Sequence, residues 1–361
     1  MKSLSLNHKS DNKFTSYLFI IPFLFFYFTL LVYPFLKSFW ISFHEWNLLE
    51  VAFNPDAKEF TGIKNYVKTL WGRRLTWSIS PIHIFICSFF LIDYYGFKKG
   101  WWRKSTFFIF LMIIIITFIL FGIHPSERGK WFDKRFWNVL YNTAIFVCLS
   151  VPPITIISLY LAISLNYKNK LMGFFRTLFY LSSVVSVAVT TLVWTYMLSP
   201  QQGIIGHLYK IFGKEPLVWF TNPDLAMPSI VIATVWWVIG FPMIVFLAAL
   251  QEIPSERIEA AKIDGANALN LIVFIIIPSI KRTFIFIVLY EIISQFQIFG
   301  QSQLMTSGGP GIETMTLVMY IYNTGFRDNE FGKAGALCVL LFLCMAFFSY
   351  AYMKISSSQD N

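Results

Sequence analysis

Residues 259–266 read EAAKIDGA, a short polar stretch with runs of Phe, Ile, Leu and Val on both sides. Pro254 and Ser255, just before it, are typical of a helix start, with Ser255 as the expected N-cap. Asp264 and Gly265 predict the end of that helix, because glycine readily adopts the left-handed conformation that terminates helices. The stretch therefore predicts a short helix that stops at a glycine.

A second short helix is expected directly after the glycine. Asn267 can cap it, and Leu269, Ile272 and Ile276 then fall on one face at helical spacing. Pro278 marks its end before the next apolar run. Two short helices that meet at a glycine form an elbow, which would present a compact knob at the membrane surface. The alternative is an amphipathic connector that only lies in the interface.

The composition is that of a membrane protein. Of 361 residues, 56% are hydrophobic and only 13% are charged, with 40 Phe, more than a water-soluble core of this size requires. The net charge of +10 is spread over short loops, which favours anionic lipid headgroups rather than nucleic acid as its partner. The cysteines lie inside apolar runs and the histidines lack metal-ligand spacing, so we expect no disulfide framework and no metal site.

Eight apolar segments are candidates to cross the hydrocarbon core as helices. They lie at 16–36, 78–95, 105–123, 139–165, 174–198, 230–250, 283–299 and 332–353. An even number of spans puts both termini on one side, and the loops of that side carry slightly more Lys and Arg. This predicts an all-α, multi-pass protein of the cytoplasmic membrane with cytoplasmic N- and C-termini.

The elbow stretch resembles the EAA coupling loop of importer permeases in the ATP-binding cassette (ABC) superfamily. The order EAA, two residues, DGA, then Ile275 and Pro278 at their expected distances carries this resemblance. The family usually has a Phe six residues after the last alanine of DGA, where this chain has Ile272. An exchange of one apolar side chain for another should preserve docking.

Other stretches resemble the carbohydrate-uptake subgroup of these permeases, and are similar to the maltose transporter's membrane subunits. Residues 306–310 read TSGGP, as in the subgroup's T-x-G-G-P region, and residues 60–66 read FTGIKNY. The resemblance covers roughly residues 17–66 and 138–353. It implies a permease core of six spans.

Two features depart from the subgroup's pattern. Residues 67–137 are additional, and we interpret their two apolar segments as an inserted transmembrane hairpin; the alternative is that one or both lie at the interface or re-enter. Ser182 stands where the subgroup tends to carry a proline, so we expect no kink in that helix.

The expected organisation is a cytoplasmic tail at 1–15, the first core span and outer loop at 16–66, the inserted region at 67–137, five core spans at 138–353 with the coupling loop at 251–281, and a cytoplasmic tail at 354–361.

The resemblance implies a transport subunit with no ATPase site of its own. The sequence contains no G-x-x-x-x-G-K-[ST] phosphate-binding loop, so partner ATPase subunits would bind ATP and Mg²⁺, and this chain would hold no cofactor. The implied partners are a second homologous permease, two ABC ATPase subunits, an extracytoplasmic solute-binding protein, membrane lipids and a sugar-type substrate. The implied ATPase-coupling residues are Glu259, Ala260, Ala261, Asp264, Gly265, Ala266 and Pro278.

A second group of polar residues interrupts the apolar run at 283–299. It consists of Glu291, Ser294, Gln295 and Gln297, of which Glu291 and Gln295 share a helix face. Polar groups within a membrane are costly and usually face a pathway or a partner. They are candidates for the substrate pathway, because amides and carboxylates bind sugar hydroxyls. The alternatives are a structural hydrogen bond to the sister subunit, or a protonated Glu291 bonded to another helix.

The sequence leaves two other functional classes open. A membrane-embedded glycosyl or acyl transferase would need acids or histidines clustered at one membrane face, and no convincing set lies outside the elbow. A secondary transporter driven by an ion gradient could use Glu291 as its proton site. Our expectation is a permease subunit of an ABC importer that translocates a sugar, oligosaccharide or related polyol.

Overall fold

The computed structural model describes residues 12–54, 57–70, 75–77, 94–95, 98, 123–125, 134–167 and 169–357. It is mostly helical, as expected, and divides into two compact units. The first unit comprises Met1–Tyr66 with Thr324–Leu340, and the second comprises Val67–Asn323 with Leu341–Asn361.

The first unit begins with a long apolar helix. Helix α1 (Asn12–Tyr27) continues through a π-helical turn (Phe28–Val32) into α2 (Tyr33–Ile41). The part Ile20–Ile41 is long and apolar enough to cross a membrane, and none of it is buried within the chain. It matches the first expected span.

A small polar cap follows this helix. Its elements are β1 (His44–Glu45), α3 (Leu48–Phe53), β2 (Glu59–Phe60) and the start of α4 (Lys64–Leu70). Strands β1 and β2 pair antiparallel. The Asn65 side-chain amide lies beneath them and donates to the backbone carbonyls of Ser42 and His44, both at 2.9 Å. The stretch FTGIKNY thus closes this cap.

The second unit contains most of the helices. They are α5 (Lys134–Ser164), α6 (Lys170–Val184), α7 (Val187–Met197), α8 (Ile204–Ile211), α9 (Pro223–Val238), α10 (Gly240–Gln251), α11 (Ser255–Ile263), α12 (Ala268–Asn270), α13 (Ile277–Ser279), α14 (Lys281–Phe296), α15 (Gly300–Met305) and α16 (Leu317–Tyr322). A π-helical stretch (Leu271–Ile276) joins α12 to α13, and another (Asn323–Arg327) follows α16. The last helix, α17 (Phe331–Ser357), runs through residues of both units.

Helix α5 is the centre of the second unit, because α9, α10, α14 and α16 all contact it. Its side chains Phe146 and Ile154 are fully buried, as are Phe246 on α10 and Ile287 on α14. The hydroxyl of Ser158 on α5 donates to the Ile239 carbonyl at 2.9 Å. This carbonyl also accepts from the Met243 N–H at 3.2 Å, so Ser158 is its second donor where α9 passes into α10.

Among the described residues, three helices are long and apolar enough to span a membrane, and up to six spans result if each of three bent helix pairs counts as one. The single helices are Ile20–Ile41, Arg135–Ser164 and Phe331–Lys354, and the pairs are α6 with α7, α9 with α10, and α12–α13 with α14. The predicted segments 78–95 and 105–123 lie almost wholly outside the described residues, so the inserted hairpin stays a prediction.

The expectation of a purely helical chain was wrong in one detail. Besides β1 and β2, strand β3 (Leu75–Trp77) pairs antiparallel with β4 (Ile123–Pro125). Ile123 therefore lies in a strand, although we assigned it to the end of an apolar segment. The four strands have only two or three residues each, which is too short for hydrophobic alternation to reveal them.

The absence of a proline at Ser182 did not keep its helix straight. Helices α6 and α7 meet at a bend of 100°, so this prediction was wrong. The Ser183 hydroxyl donates to the Trp237 carbonyl at 3.0 Å, and the Trp237 indole N–H donates to the Val185 carbonyl at 2.8 Å. Ser186 caps the second helix by accepting from the Val189 N–H. The bonds at Val185 and Val189 satisfy backbone groups that the break leaves without helical partners.

Candidate functional site

The first helix of the elbow forms where expected, with a shifted cap. Helix α11 begins at Ser255, and its N-cap position is Pro254, which makes no side-chain capping bond. The prediction of Ser255 as the N-cap was therefore wrong by one residue. Glu256 lies in the first turn, where a carboxylate is favoured by the helix dipole.

Gly265 ends this helix in the predicted way. Its φ is +82°, in the left-handed region that favours glycine. The Gly265 N–H donates to the Lys262 carbonyl at 3.1 Å, and the Ala266 N–H donates to the Ala261 carbonyl at 3.0 Å. This pair of bonds is the Schellman arrangement, which satisfies carbonyls left open at a helix end. The Gly265 turn therefore has a defined, hydrogen-bonded geometry.

The second half of the elbow also begins as predicted. The Asn267 side chain accepts from the Asn270 N–H at 2.8 Å. Residues Ala268–Ser279 then run as one bent pair with α14, at an angle of 81°. Pro278 lies one residue before the end of α13. The polypeptide thus turns twice, once at Gly265 and once at Ile280, before it enters the next span.

One predicted face of the elbow is only partly formed. Ile276 is buried and Ile272 half-buried, but Leu269 is 71% exposed. The intervening stretch is π-helical, so it turns by less per residue than the α-helical spacing assumes. Leu269 is therefore rotated away from the other two side chains.

The coupling residues inferred from the family resemblance lie together on this elbow. Ala261 is buried and Ala266 half-buried, whereas the other members are exposed: Glu259, Ala260, Asp264, Gly265 and Pro278. Three large apolar side chains beside them are also open, with Ile263 86%, Leu269 71% and Phe274 69% exposed. Apolar side chains presented on a rigid turn are typical of a docking surface.

The polar residues of α14 divide into two groups. Glu291 and Gln295 are buried, and the Gln295 side-chain amide donates to Glu291 Oε2 at 2.9 Å. Glu291 Oε1 has no hydrogen-bond partner in the described part of the chain. Ser294 and Gln297 are exposed, and the Gln297 amide donates to Met345 Sδ at 3.1 Å. The predicted set is thus one buried pair with two open neighbours.

A cavity of about 300 Å³ lies at the end of α14. Its polar lining comes from Ser294, Gln295, Gln297 and Gln301, while Glu291 does not line it. The remaining walls are Val187, Trp237, Val238, Ile298, Phe299 and Gly300. The cavity therefore combines several amide groups with aromatic rings, which suits a polar ligand that also has apolar faces.

Most of the walls of this cavity were missed by sequence reasoning. Gln301 lies just beyond the predicted polar group, but Trp237 and Val187 come from segments far from α14 in the sequence. They reach the cavity because α6 and α7 bend at Val185, and Trp237 binds that bend. No pattern in the sequence predicts this bend.

The TSGGP stretch folds into a hydrogen-bonded loop next to the cavity helices. The Thr306 and Thr314 hydroxyls lie 2.6 Å apart, and Thr314 donates to the Gly309 carbonyl at 2.7 Å. The Asn142 side chain on α5 donates to the Ile312 carbonyl at 2.7 Å. The loop is thereby fixed to the central helix.

Comparison with known proteins identifies the family. A family described as the binding-protein-dependent transport system inner membrane component matches residues 154–358, which include the elbow, α14 and the TSGGP loop. This chain belongs to that family. It is thus a membrane-spanning permease component of a transport system.

Similar proteins share large parts of the chain. The lactose transport system permease protein LacF of Rhizobium radiobacter is 35% identical over 226 residues, covering 61% of this chain and 76% of the relative. The trehalose/maltose transport system permease protein MalF of Thermococcus litoralis is 25% identical over 339 residues, covering 94% and 92%. A solved bacterial alginate ABC transporter chain has the same fold, with a TM-score of 0.56 and 22% identity, covering 62% of this chain and 78% of that chain.

Proposed function

We propose that this chain is one permease subunit of an ATP-driven ABC importer for a sugar, oligosaccharide or related polyol, delivered by an extracytoplasmic binding protein. The observation that carries this proposal is the elbow, which lies within the family match and holds exposed apolar side chains on a turn stabilised by hydrogen bonds. Its residues lie between two spans and belong to no other site in the described chain.

The elbow would dock in a cleft of a cytoplasmic ATPase subunit. Ile263, Leu269 and Phe274 would enter the cleft, and Glu259 and Gly265 would define the shape of the turn. Because Ala268–Ser279 leads directly into α14, a movement of the docked elbow would tilt that span. Closure of the ATPase pair on ATP would then switch the spans between inward-facing and outward-facing arrangements. ATP hydrolysis would return them to the starting arrangement.

The cavity at the end of α14 would be part of the substrate pathway. Its amides can donate to and accept from sugar hydroxyls, and the rings of Trp237 and Phe299 can stack on the apolar face of a sugar. Glu291 would support the site from behind, because its buried carboxyl accepts the amide of Gln295. This arrangement supports Ser294, Gln295 and Gln297 as direct contacts and Glu291 as an indirect one.

The carbohydrate assignment is supported by the named relatives, which are permease proteins of lactose and trehalose/maltose transport systems. The remaining partners follow from the same analogy: a second homologous permease, and two ATPase subunits that bind ATP and Mg²⁺.

Both termini would be cytoplasmic, on the side of the elbow. Residues 67–137 would form the inserted hairpin, which is supported by the pairing of β3 with β4 at the two ends of the intervening segment.

Uptake into proteoliposomes tests this proposal. The chain is reconstituted with its permease partner, the ATPase subunits and the binding protein, and sugar uptake is measured with ATP supplied on the ATPase side. We expect uptake that needs ATP hydrolysis and the binding protein. Uptake driven by a proton gradient without the ATPase would contradict the proposal and favour a secondary transporter, and glycosyl or acyl transfer to lipid would favour a transferase.

A further inference from the structure

Helix α8 presents an apolar face that no part of the described chain covers. It is eight residues long and lies in the loop between the bent pair α6–α7 and the bent pair α9–α10. Ile204, Leu208 and Ile211 follow each other at helical spacing, and Phe212 caps the end. Their side chains are 60%, 47%, 76% and 76% exposed. An apolar stripe of this kind is costly in water and requires a cover.

The opposite side of α8 is fixed against the end of α7. A Cβ at Gly203 would overlap the carbonyl oxygens of Met197, Tyr196 and Ser199, and one at Gly206 would overlap the Pro200 carbonyl. Only glycine permits this approach, and it holds α8 against the end of a membrane-spanning helix pair. The helix therefore cannot extend away from the membrane surface as a free arm.

The exposed face of α8 follows an exposed apolar stripe on α7. Val189, Leu192, Val193 and Tyr196 are open at helical spacing, and α7 belongs to a pair that is long and apolar enough to span the bilayer. The two stripes follow each other within one compact unit. The medium that surrounds the exposed side chains at the end of α7 should therefore also surround the exposed face of α8.

The charged side chains around α8 indicate that this medium is a lipid surface. Residues 204–214 contain no acidic side chain but include Lys210 and Lys214, both exposed, and the exposed Glu215 follows directly. Tyr209 and Trp219 add the amphipathic rings that concentrate at membrane surfaces. Basic side chains beside an apolar stripe match anionic headgroups above acyl chains.

We propose that α8 lies in the membrane interface and binds an anionic phospholipid surface through Ile204, Leu208, Ile211 and Phe212, with Lys214 contacting headgroups. The helix would anchor the outer end of the α6–α7 pair, which bends by 100°. This anchoring does not depend on which solute is transported. A second permease subunit or a binding protein seated on the same face is the competing outcome.

A lipid-quenching experiment tests this proposal on the assembled transporter in nanodiscs. An environment-sensitive fluorophore is attached to Ile211→Cys or Leu208→Cys, in a chain whose four native cysteines are replaced. Lys210→Cys on the opposite face is the matched control. We expect the fluorophore at positions 211 and 208 to lose most of its emission when the lipids carry brominated acyl chains, and at 210 to keep it.

The headgroup dependence is measured with the same labelled protein. Quenching at position 211 should be stronger with brominated phosphatidylglycerol than with brominated phosphatidylcholine, and Lys214→Gln should reduce that preference. Equal quenching at 211 and 210, or no quenching at 211 and 208 in a transport-active assembly, would overturn the proposal. Quenching in the isolated chain that disappears on assembly would assign the face to a protein partner, and would overturn it as well.

Discussion

At the scale of single residues, Gly265 is the position on which the elbow depends. Its φ of +82° excludes a relaxed L side chain, although a Cβ there would meet no atom within 4 Å. A substitution would therefore act through the backbone alone. The Schellman bonds from Gly265 and Ala266 would be strained or lost, while the helices on both sides stay intact.

We expect Gly265→Val to uncouple ATP hydrolysis from transport while the complex still assembles. The left-handed conformation costs a non-glycine residue about 1–2 kcal/mol, so the turn shifts to another geometry. ATPase activity and sugar uptake are measured together on the purified complex. The control is Gly213→Val, which has the same kind of backbone (φ +69°) and open surroundings but lies in the α8 loop. If both variants transport normally, Gly265 has no coupling role.

Gln297 tests the substrate pathway at the same scale. Its side chain is exposed and lines the cavity, so Gln297→Ala should leave folding intact and weaken binding by removing amide contacts to the ligand. A lost hydrogen bond to an uncharged ligand is worth about 0.5–1.5 kcal/mol, which corresponds to roughly a twofold to thirteenfold higher KM for uptake. Gln202→Ala, in an exposed loop, is the control. An unchanged KM for Gln297→Ala would remove it from the pathway.

At the scale of elements, the break between α6 and α7 shows what the sequence could not reveal. The lengths of the apolar runs predicted the spans, because a fixed bilayer thickness sets helix length. The break was not predicted, and the residue that donates a hydrogen bond to it, Trp237, is more than fifty positions away from Ser182. Only the fold brings this indole N–H to the Val185 carbonyl.

Trp237→Phe should therefore destabilise the second unit. Phenylalanine keeps the ring but removes the donor, so the Val185 carbonyl loses its partner at a helix break. An unsatisfied buried polar group costs about 1–3 kcal/mol, and the half-buried Val185 carbonyl should cost an amount near the lower end of that range. The thermal unfolding midpoint in detergent should fall below that of Trp236→Phe, whose parent side chain is 42% exposed. Equal midpoints would mean that this bond does not hold the break.

Close packing of α6 on α10 gives a second test of an element. A Cβ at Gly240 would lie 2.6 Å from the Phe179 carbonyl oxygen and 2.8 Å from Tyr180 Cα, so Gly240→Ala would force the helices apart. Overpacking of this kind costs about 1–3 kcal/mol. We expect a lower unfolding midpoint and less assembled complex on size-exclusion chromatography.

The matched control for this packing is Gly173→Ala on α6. A Cβ at Gly173 meets no atom within 4 Å, and alanine is the better helix former by about 1 kcal/mol. Gly173→Ala should therefore leave the midpoint unchanged or raise it. A similar loss in both variants would show that the α6–α10 contact does not explain the Gly240 result.

At the scale of the whole molecule, the sequence predicted the parts that depend on local chemistry. The elbow, its glycine stop and the Asn267 cap follow from residues that are neighbours in the chain, and the structure contains all three. The exposure of Leu269 and the walls of the cavity depend on a π-helical stretch and on distant segments. Such features arise from tertiary packing, which periodicity does not encode.

Family membership and the roles of single residues rest on different kinds of evidence. Family membership rests on a match over more than half of the chain, residues 154–358, and requires no single side chain. The coupling and substrate roles rest on particular residues, and these remain proposals. What connects the two levels is the continuous path from the elbow through Ala268–Ser279 into α14, at whose far end the cavity lies.

Photo-crosslinking at Ile263 measures whether the elbow contacts an ATPase subunit. This side chain is the most exposed apolar group on the elbow, so a photoreactive amino acid placed there should crosslink to the ATPase subunit in the assembled transporter. The same amino acid at Ile211 on α8, which is similarly open, should form no ATPase crosslink. A crosslink from Ile263 to the binding protein, or to no ATPase in an active complex, would show that the elbow does not dock on the ATPase.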